Sequence, residues 1–203
     1  PPCMPTPATL GFNLHTGWAA LVAIAGKPGK FEVLLRTRIE LLPGDQSIPR
    51  FVYHKASELS LTEASDLVRR AKVAAGETAR AAVKDAIKHL KSLGFAVQAA
   101  GIASSSRQLP SDLAVILNAH PLIHTAEGIL FQQAAASACK INKLVLVSVR
   151  ERDVWSDTAA VWAVSEARLR KDIDRLRQSI GAPWGADQKT AAVFALRAMR
   201  SSK

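Results

Sequence analysis

Thr9-Leu-Gly-Phe-Asn-Leu-His-Thr-Gly-Trp-Ala-Ala-Leu-Val-Ala-Ile24 decides how the rest of the chain must fold. It reads as one long strand, or as two short strands broken near His15-Thr16-Gly17. Phe31 to Leu42 alternates well enough to be a neighbouring strand, with Phe31, Val33 and Leu35 set against Glu32, Leu34 and Arg36. The connector Gly26-Lys27-Pro28-Gly29 carries hairpin chemistry, since glycine supplies positive φ and proline a fixed one. It lacks the Gly-x4-Gly-Lys-Ser/Thr spacing of a phosphate loop and opens no helix, so it reads as a turn.

Helices and further strands follow. Pro43-Gly44-Asp45 closes the second strand, and residues 47–58 read as a loop with a short strand at Phe51-Val52-Tyr53. Ser60-Leu-Thr-Glu63 is a capping box that opens a helix running to about Ser92, with Gly94 as its stop. Along it Leu67, Ala71, Ala75, Ala79, Ala82, Ala86 and Leu90 recur at helical spacing, which predicts close packing of an alanine-rich face. Phe95 to Ala103 is a strand, Pro110-Ser111-Asp112 begins a short helix, and Ala126 to Cys139 is helical. Lys143 to Val149 is a nearly continuous apolar run suited to a sheet interior. Asp157 to Ile180 is helical with a break near Ser165, and Gly185 to Met199 is a last amphipathic helix, with Trp184 an anchor at its start.

Strands separated by helices imply parallel pairing through right-handed crossovers. The predicted fold is therefore α/β: a ribonuclease-H-like mixed sheet, N-terminal antiparallel strands followed by parallel strands, with helices on both faces. Residues 1–8 are read as a flexible lead and 9–203 as a single domain, a length that buries a substantial core. No apolar run approaches the roughly 18 to 20 residues of a membrane helix, and the first residues lack the basic start and apolar stretch of a signal peptide. The expectation is a cytoplasmic protein without a membrane partner. Cys3 and Cys139, the only cysteines, form neither a disulfide framework nor a thiolate metal site.

The opening Leu10-Gly11-Phe12-Asn13-Leu14-His15-Thr16-Gly17-Trp18-Ala19 resembles the start of bacterial Holliday-junction resolvases and actin-like ATPases, in which a Gly-apolar-Asp strand turns into a second strand. The chain also resembles a bacterial protein family marked by His-Thr-Gly-Trp-Ala-Ala (15–20), His-x3-His-x2-Glu-Gly (120–128), Glu-Arg (151–152) and Gly-x-Pro-Trp-x4-Lys-x-Ala-Ala (181–192). That family brings no activity with it. The wider ribonuclease-H-like resemblance implies a fold and does not settle a function.

His120-Pro-Leu-Ile-His124-Thr-Ala-Glu127-Gly128 gathers two imidazoles and a carboxylate where a strand hands over to a helix, the usual place for chemistry in open α/β sheets. Three readings compete. With His120 as cap and Pro121 first in the helix, His120, His124 and Glu127 fall on one face and could take zinc or another transition metal. As a metal-dependent nuclease or phosphodiesterase, the chain would use Glu127, Glu151 and His124 as catalytic groups with a divalent metal, although Asn13 stands where the fold usually has an aspartate. As a structural or ligand-binding network, Asn13, His15, Ser104, His120, Glu127 and Arg152 would line a pocket, because buried polar groups need partners in any fold. A serine triad from Ser104, His124 and Glu127 has nothing to orient it.

Lys and Arg total 27 against 17 Asp and Glu, a formal charge of +10. Such an excess favours polyanionic partners, nucleic acid first, or else a basic solvated surface. One tyrosine and six phenylalanines leave little for a base-stacking platform. Phosphate donors are expected at Arg69, Arg70 and Lys72 on the long helix and at Arg168 and Arg170 on the later one. The leading expectation is a nonenzymatic binding protein for nucleic acid or another anionic ligand. The alternatives are the divalent-metal nuclease and a protein-interaction module, with a homo-oligomer left open.

Overall fold

Alternation along the first two strands assigns every other residue to each of two cores. Leu10 and Phe12 of β1 (Thr6–His15) pack with Ala19, Leu21 and Ala23 of β2 (Trp18–Lys27) in one core. Ala20, Val22 and Ile24 enter the other. Both faces of this hairpin are covered, which is why Thr9 to Ile24 reads as nearly continuous apolar sequence rather than as clean alternation. The computed structural model describes residues 4–27, 29–44, 47–105 and 107–200. The expectations touching Cys3, Pro28, Asp45 and Ser106 lie outside the described residues.

β1 and β2 pair antiparallel from Ala8↔Ala25 to His15↔Trp18, turning at Thr16-Gly17 with Gly17 at φ +80°. β3 (Lys30–Glu40) pairs antiparallel with β2. The expected alternation of β3 breaks at a register shift between Ala23 and Ile24, so Phe31 and Val33 face the second core while Leu35 faces the first. β4 (Phe95–Ala103) runs parallel to β1, and β5 (Val145–Val149) parallel to β4. The sheet order is β3-β2-β1-β4-β5. The mixed α/β plan is the expected one, with two corrections. β1 starts at Thr6, inside the segment read as a loose lead. The apolar run at 143–149 forms the sheet edge, not its interior: Val145 is 48% exposed, and only Leu144 of that run is buried.

One face of the sheet carries α1 (Val52–Ala56), α2 (Leu61–Ser92), α3 (Leu113–Leu117) and α4 (His120–Ile141). The other carries α5 (Val154–Val161), α6 (Glu166–Arg175), α7 (Arg177–Ile180) and α8 (Ala186–Met199). α2 begins as the sequence dictates: Ser60 Oγ accepts from the Glu63 amide while the Glu63 carboxylate accepts from the Ser60 amide at 3.1 Å. Its buried alanines at 64, 71, 75, 79 and 86 lie against α4 and the sheet. Residues 51–53 are a correction, since α1 replaces the expected strand there. Ser165 caps α6 at the expected break, and Trp184 anchors the start of α8, its indole N–H donating to the Ile173 carbonyl at 2.9 Å. No helix among the described residues is long and apolar enough to cross a membrane.

The closest packing lies between α8 and the middle strands. A Cβ on Gly11 would fall 1.9 Å from the Ala191 carbonyl oxygen, and one on Gly101 would fall 2.0 Å from that of Phe194. Helix backbone and strand backbone touch at both points, so a methyl group has no room without moving the helix. Gly11→Ala and Gly101→Ala are each expected to destabilise the protein by about 3 kcal/mol or more, at the upper end of overpacking costs. Gly76→Ala, whose Cβ would meet nothing within 4 Å, is expected to stabilise slightly through helix propensity. Urea unfolding of the three variants checks the contrast.

Candidate functional site

Two polar assemblies flank the C-terminal end of β1. The first grows from the α8 face of that strand. Thr9 Oγ1 donates to the Ala195 carbonyl at 2.9 Å, Gly11 touches Ala191, and the Asn13 amide donates to Asp187 Oδ1 at 3.1 Å. Strand residues two apart advance about 6.8 Å and helix residues four apart about 6 Å. The 9-11-13 series of β1 therefore keeps step with 195-191-187 of α8, running in the opposite direction. At its end His15 Nε2 lies 2.9 Å from Asp187 Oδ1 and 3.4 Å from the Asn13 amide nitrogen. Asn13 is buried, while His15 and Asp187 are each a little over one-third exposed.

His15 stacks on its cross-strand partner Trp18 with ring centroids 4.2 Å apart and planes 11° from parallel. The Arg38 guanidinium sits 3.9 Å from the centroid of the Trp18 ring. Arg50 donates to the Thr16 carbonyl at 2.8 Å, so two exposed cations border the β1–β2 turn. The first turn of α8, with its free amide ends, faces the same place and favours negative charge there.

The second assembly is on the opposite face. Glu127 is buried in α4, and its Oε1 accepts from the backbone N–H of Tyr53 at 2.7 Å and of His54 at 3.1 Å. His54 Nδ1 is 3.2 Å from the same oxygen. The N-cap position of α1 is Phe51, which offers no side-chain cap, so a carboxylate from another helix satisfies its first amides. That contact explains why 51–53 turns helical. Burial, and then the Glu127 charge, push the Tyr53 hydroxyl above its ordinary pKa. His120 is the first residue of α4 rather than its cap, the cap position being Ala119, with Pro121 in the first turn as expected. The His120 and His124 rings stand 4.4 Å apart, and His54 and His124 stand 4.7 Å apart.

A cleft of about 290 Å³ lies between the assemblies, lined by His15, Thr16, Phe51, His54, His124 and Glu127 among others. Of the expected pocket, the structure brings His15 and Glu127 to this cleft, with His120 beside His124 at its edge. Asn13 points to Asp187 on the α8 side. Ser104, Glu151 and Arg152 are not among its lining residues. Ser104 continues the β4–β5 ladder through a bond to the Val149 carbonyl, and Glu151 and Arg152 are exposed on the turn after β5. Cys139 is buried, its thiol pushed up to about 12 by burial, which leaves it inert.

The expected phosphate donors are exposed but largely paired. Arg69 and Arg70 both bind Asp66, Arg168 binds Asp172, and Arg170 binds Glu166. Those on α2 and those on α6 belong to helices on opposite faces of the sheet, so they do not form one patch. Sequence reading missed His54, Trp18, Arg38 and Asp187. The only advance signal was that Asp187 sits in the first turn of an amphipathic helix, a position where an acid is favoured.

No protein-family model matches the chain, and no curated protein matches it in sequence. Solved structures do match. Thermus thermophilus RuvC overlays with a TM-score of 0.53 at 11% identity, covering 94% of this chain and 92% of that one. T. thermophilus RuvC in complex with a Holliday junction substrate overlays with 0.53 at 13% identity, covering 94% and 90%. The yeast mitochondrial Holliday junction resolvase Ydc2 overlays with 0.48 at 14% identity, covering 98% and 80%. At such identities the likeness establishes the fold, and the fold is ribonuclease-H-like, of the RuvC kind.

Glu127 should prove a structural keystone whatever the activity. Glu127→Ala leaves the buried amides of Tyr53 and His54 without their acceptor, at a cost of about 2 to 3 kcal/mol. Amide hydrogen exchange is expected to accelerate at residues 52–56 well beyond any change in α2.

Proposed function

We propose that this protein acts on nucleic acid as a divalent-metal-dependent phosphodiesterase working at the Asn13–His15–Asp187 triangle. The observation that carries this reading is the convergence of those three polar groups at 2.9 to 3.4 Å beside the end of the first strand. It draws support from the overlay on RuvC, one structure of which is in complex with a Holliday junction substrate. Taken together these favour hydrolysis over the purely binding role that composition suggested.

The donor set fits one cation and not two. Adjacent ligands around an octahedral ion at about 2.1 Å stand about 3 Å apart, close to the spacing of the triangle. Asn13 would join by turning its amide over, because the oxygen and nitrogen of an amide are assigned and not seen. A bridged pair of ions requires several carboxylates, and Asp187 is the only one in the triangle. An ion held by Asp187, Asn13 and His15 supplies charge to screen a phosphate and to acidify a water. The chain does the rest. Trp18 holds the His15 ring by stacking, Arg38 and Arg50 meet flanking phosphates, and the α8 N-terminus favours the anion.

A second reading, binding without cleavage, is favoured by one observation: buried Asn13 is neutral where a carboxylate would hold the ion more firmly. Both readings predict nucleic-acid binding that weakens steeply with salt and ignores base sequence. The test incubates purified protein with branched, duplex and single-stranded DNA in magnesium or manganese. Cleavage lost by at least about 100-fold in Asp187→Asn, with binding kept, establishes the hydrolytic reading. Salt-sensitive binding with no cleavage by the wild type, gained on Asn13→Asp, establishes the binding reading. No binding at low salt removes both and leaves the protein-interaction alternative.

A further inference from the structure

We propose that His54, His120 and His124 bind one transition-metal dication of the zinc class, at a site separate from the Asn13–His15–Asp187 triangle. One ring nitrogen from each imidazole lies within 4.8 Å of the others, and all three ring pairs meet edge to face. A set of three imidazoles with no oxygen ligand favours zinc, cobalt, nickel or copper over magnesium or calcium, which take mostly oxygen ligands.

The three residues differ in freedom, and the difference suits a site that closes on its ion. His54 is fixed: its Nδ1 meets Glu127 Oε1 at 3.2 Å, which leaves Nε2 as the nitrogen that carries a lone pair. His120 and His124 are exposed and one helical turn apart on α4, and no side-chain hydrogen bond among the described residues holds either ring. Ligand nitrogens around a tetrahedral zinc stand about 3.4 Å apart, so rotation of the two exposed rings brings the set from its present spacing to a binding one.

Glu127 provides the second, independent observation. Its side chain is 5% exposed, its Oε2 is buried without a hydrogen-bond partner, and among the ion pairs of the described residues only His54 faces it. A buried carboxylate with no lysine or arginine beside it calls for positive charge. A dication on the far nitrogen of His54 supplies that charge through the ring, and a carboxylate behind a ligating histidine orients it and raises its basicity. Three protein ligands leave one coordination position free, the pattern of reactive rather than structural zinc sites. His54 and His124 line the cleft, so a small anion or a water is the ligand class for that position.

The proposal stands independently of the phosphodiesterase reading. The test titrates untagged, metal-free, full-length protein with cobalt(II), followed by zinc competition against a chromophoric chelator. One equivalent of cobalt is expected to give the intense visible absorption of a four-coordinate site, abolished by zinc. His120→Ala and His124→Ala, both at exposed positions, should each lose that absorption and weaken zinc binding by at least about 100-fold, while Glu127→Gln weakens it about 10- to 100-fold. Asp187→Asn, which removes the only carboxylate of the other assembly, should retain the absorption, so failure at one site is told apart from failure at the other. Absence of stoichiometric cobalt uptake, or uptake unchanged in both alanine variants, overturns the assignment.

Discussion

Direct contact between the backbone of α8 and those of β1 and β4 is the constraint on which the rest of the structure depends. Gly11 and Gly101 lie on adjacent parallel strands and pair with each other in register. Together they open a trough in which the carbonyls of Ala191 and Phe194 rest. Because that contact fixes both height and rotation of the helix, it also fixes which α8 residues reach past the sheet. Asp187 arrives beside Asn13 and His15 as a geometric consequence of the Gly11–Ala191 contact one helical turn away. Core packing and the candidate catalytic geometry are thus one arrangement. Side-chain cores tolerate volume-conserving exchange, but a backbone-to-backbone contact has no side chain that can adjust.

The opposite face is organised by charge. α1 is too short to be stable on its own, and its own cap position offers no hydrogen bond. Glu127 substitutes for the missing cap from a helix more than seventy residues away in sequence. The same carboxylate sets the orientation of His54. The short helix α1 is thereby locked to α4, and its imidazole is placed against two imidazoles of α4 itself. His15 and Glu127, read from the sequence as members of one polar network, hydrogen-bond within two different assemblies that face a common cleft.

Legibility in the sequence followed the range of the interactions concerned. β4 was readable to the residue, as were the capping box at Ser60 and the break at Ser165, because each is decided by neighbours within a few positions. The apolar run at 143–149 misled, since an apolar run by itself fixes neither burial nor position in the sheet: only Leu144 of it is buried. β5 is an edge strand that shares its apolar residues between the two layers. α1 was unreadable for a sharper reason: the group that makes it a helix is Glu127, and no local pattern in Phe51-Val52-Tyr53 announces a distant acceptor. Asp187 and His54 escaped in the same way, being meaningful only through contacts across 172 and 73 positions.

Charge shows how far composition can be taken toward function. An excess of ten positive charges suggested basic helices as the nucleic-acid surface, yet the arginines named for that role are tied to carboxylates three or four residues away. Such exposed pairs are each worth only a few tenths of a kcal/mol to stability. Their effect is to mute local potential on both outer helices, α2 and α6. Arg50 at the β1–β2 turn instead donates to a backbone carbonyl and enters no ion pair among the described residues. Arg38, though paired with Glu40, also lies over Trp18, next in the stack to His15. Besides α2 and α6, which carry eleven of the 27 lysines and arginines, the positive charge therefore has a second place at the end of β1. There an aromatic ring, an imidazole and a helix N-terminus converge on the one acidic group that α8 delivers.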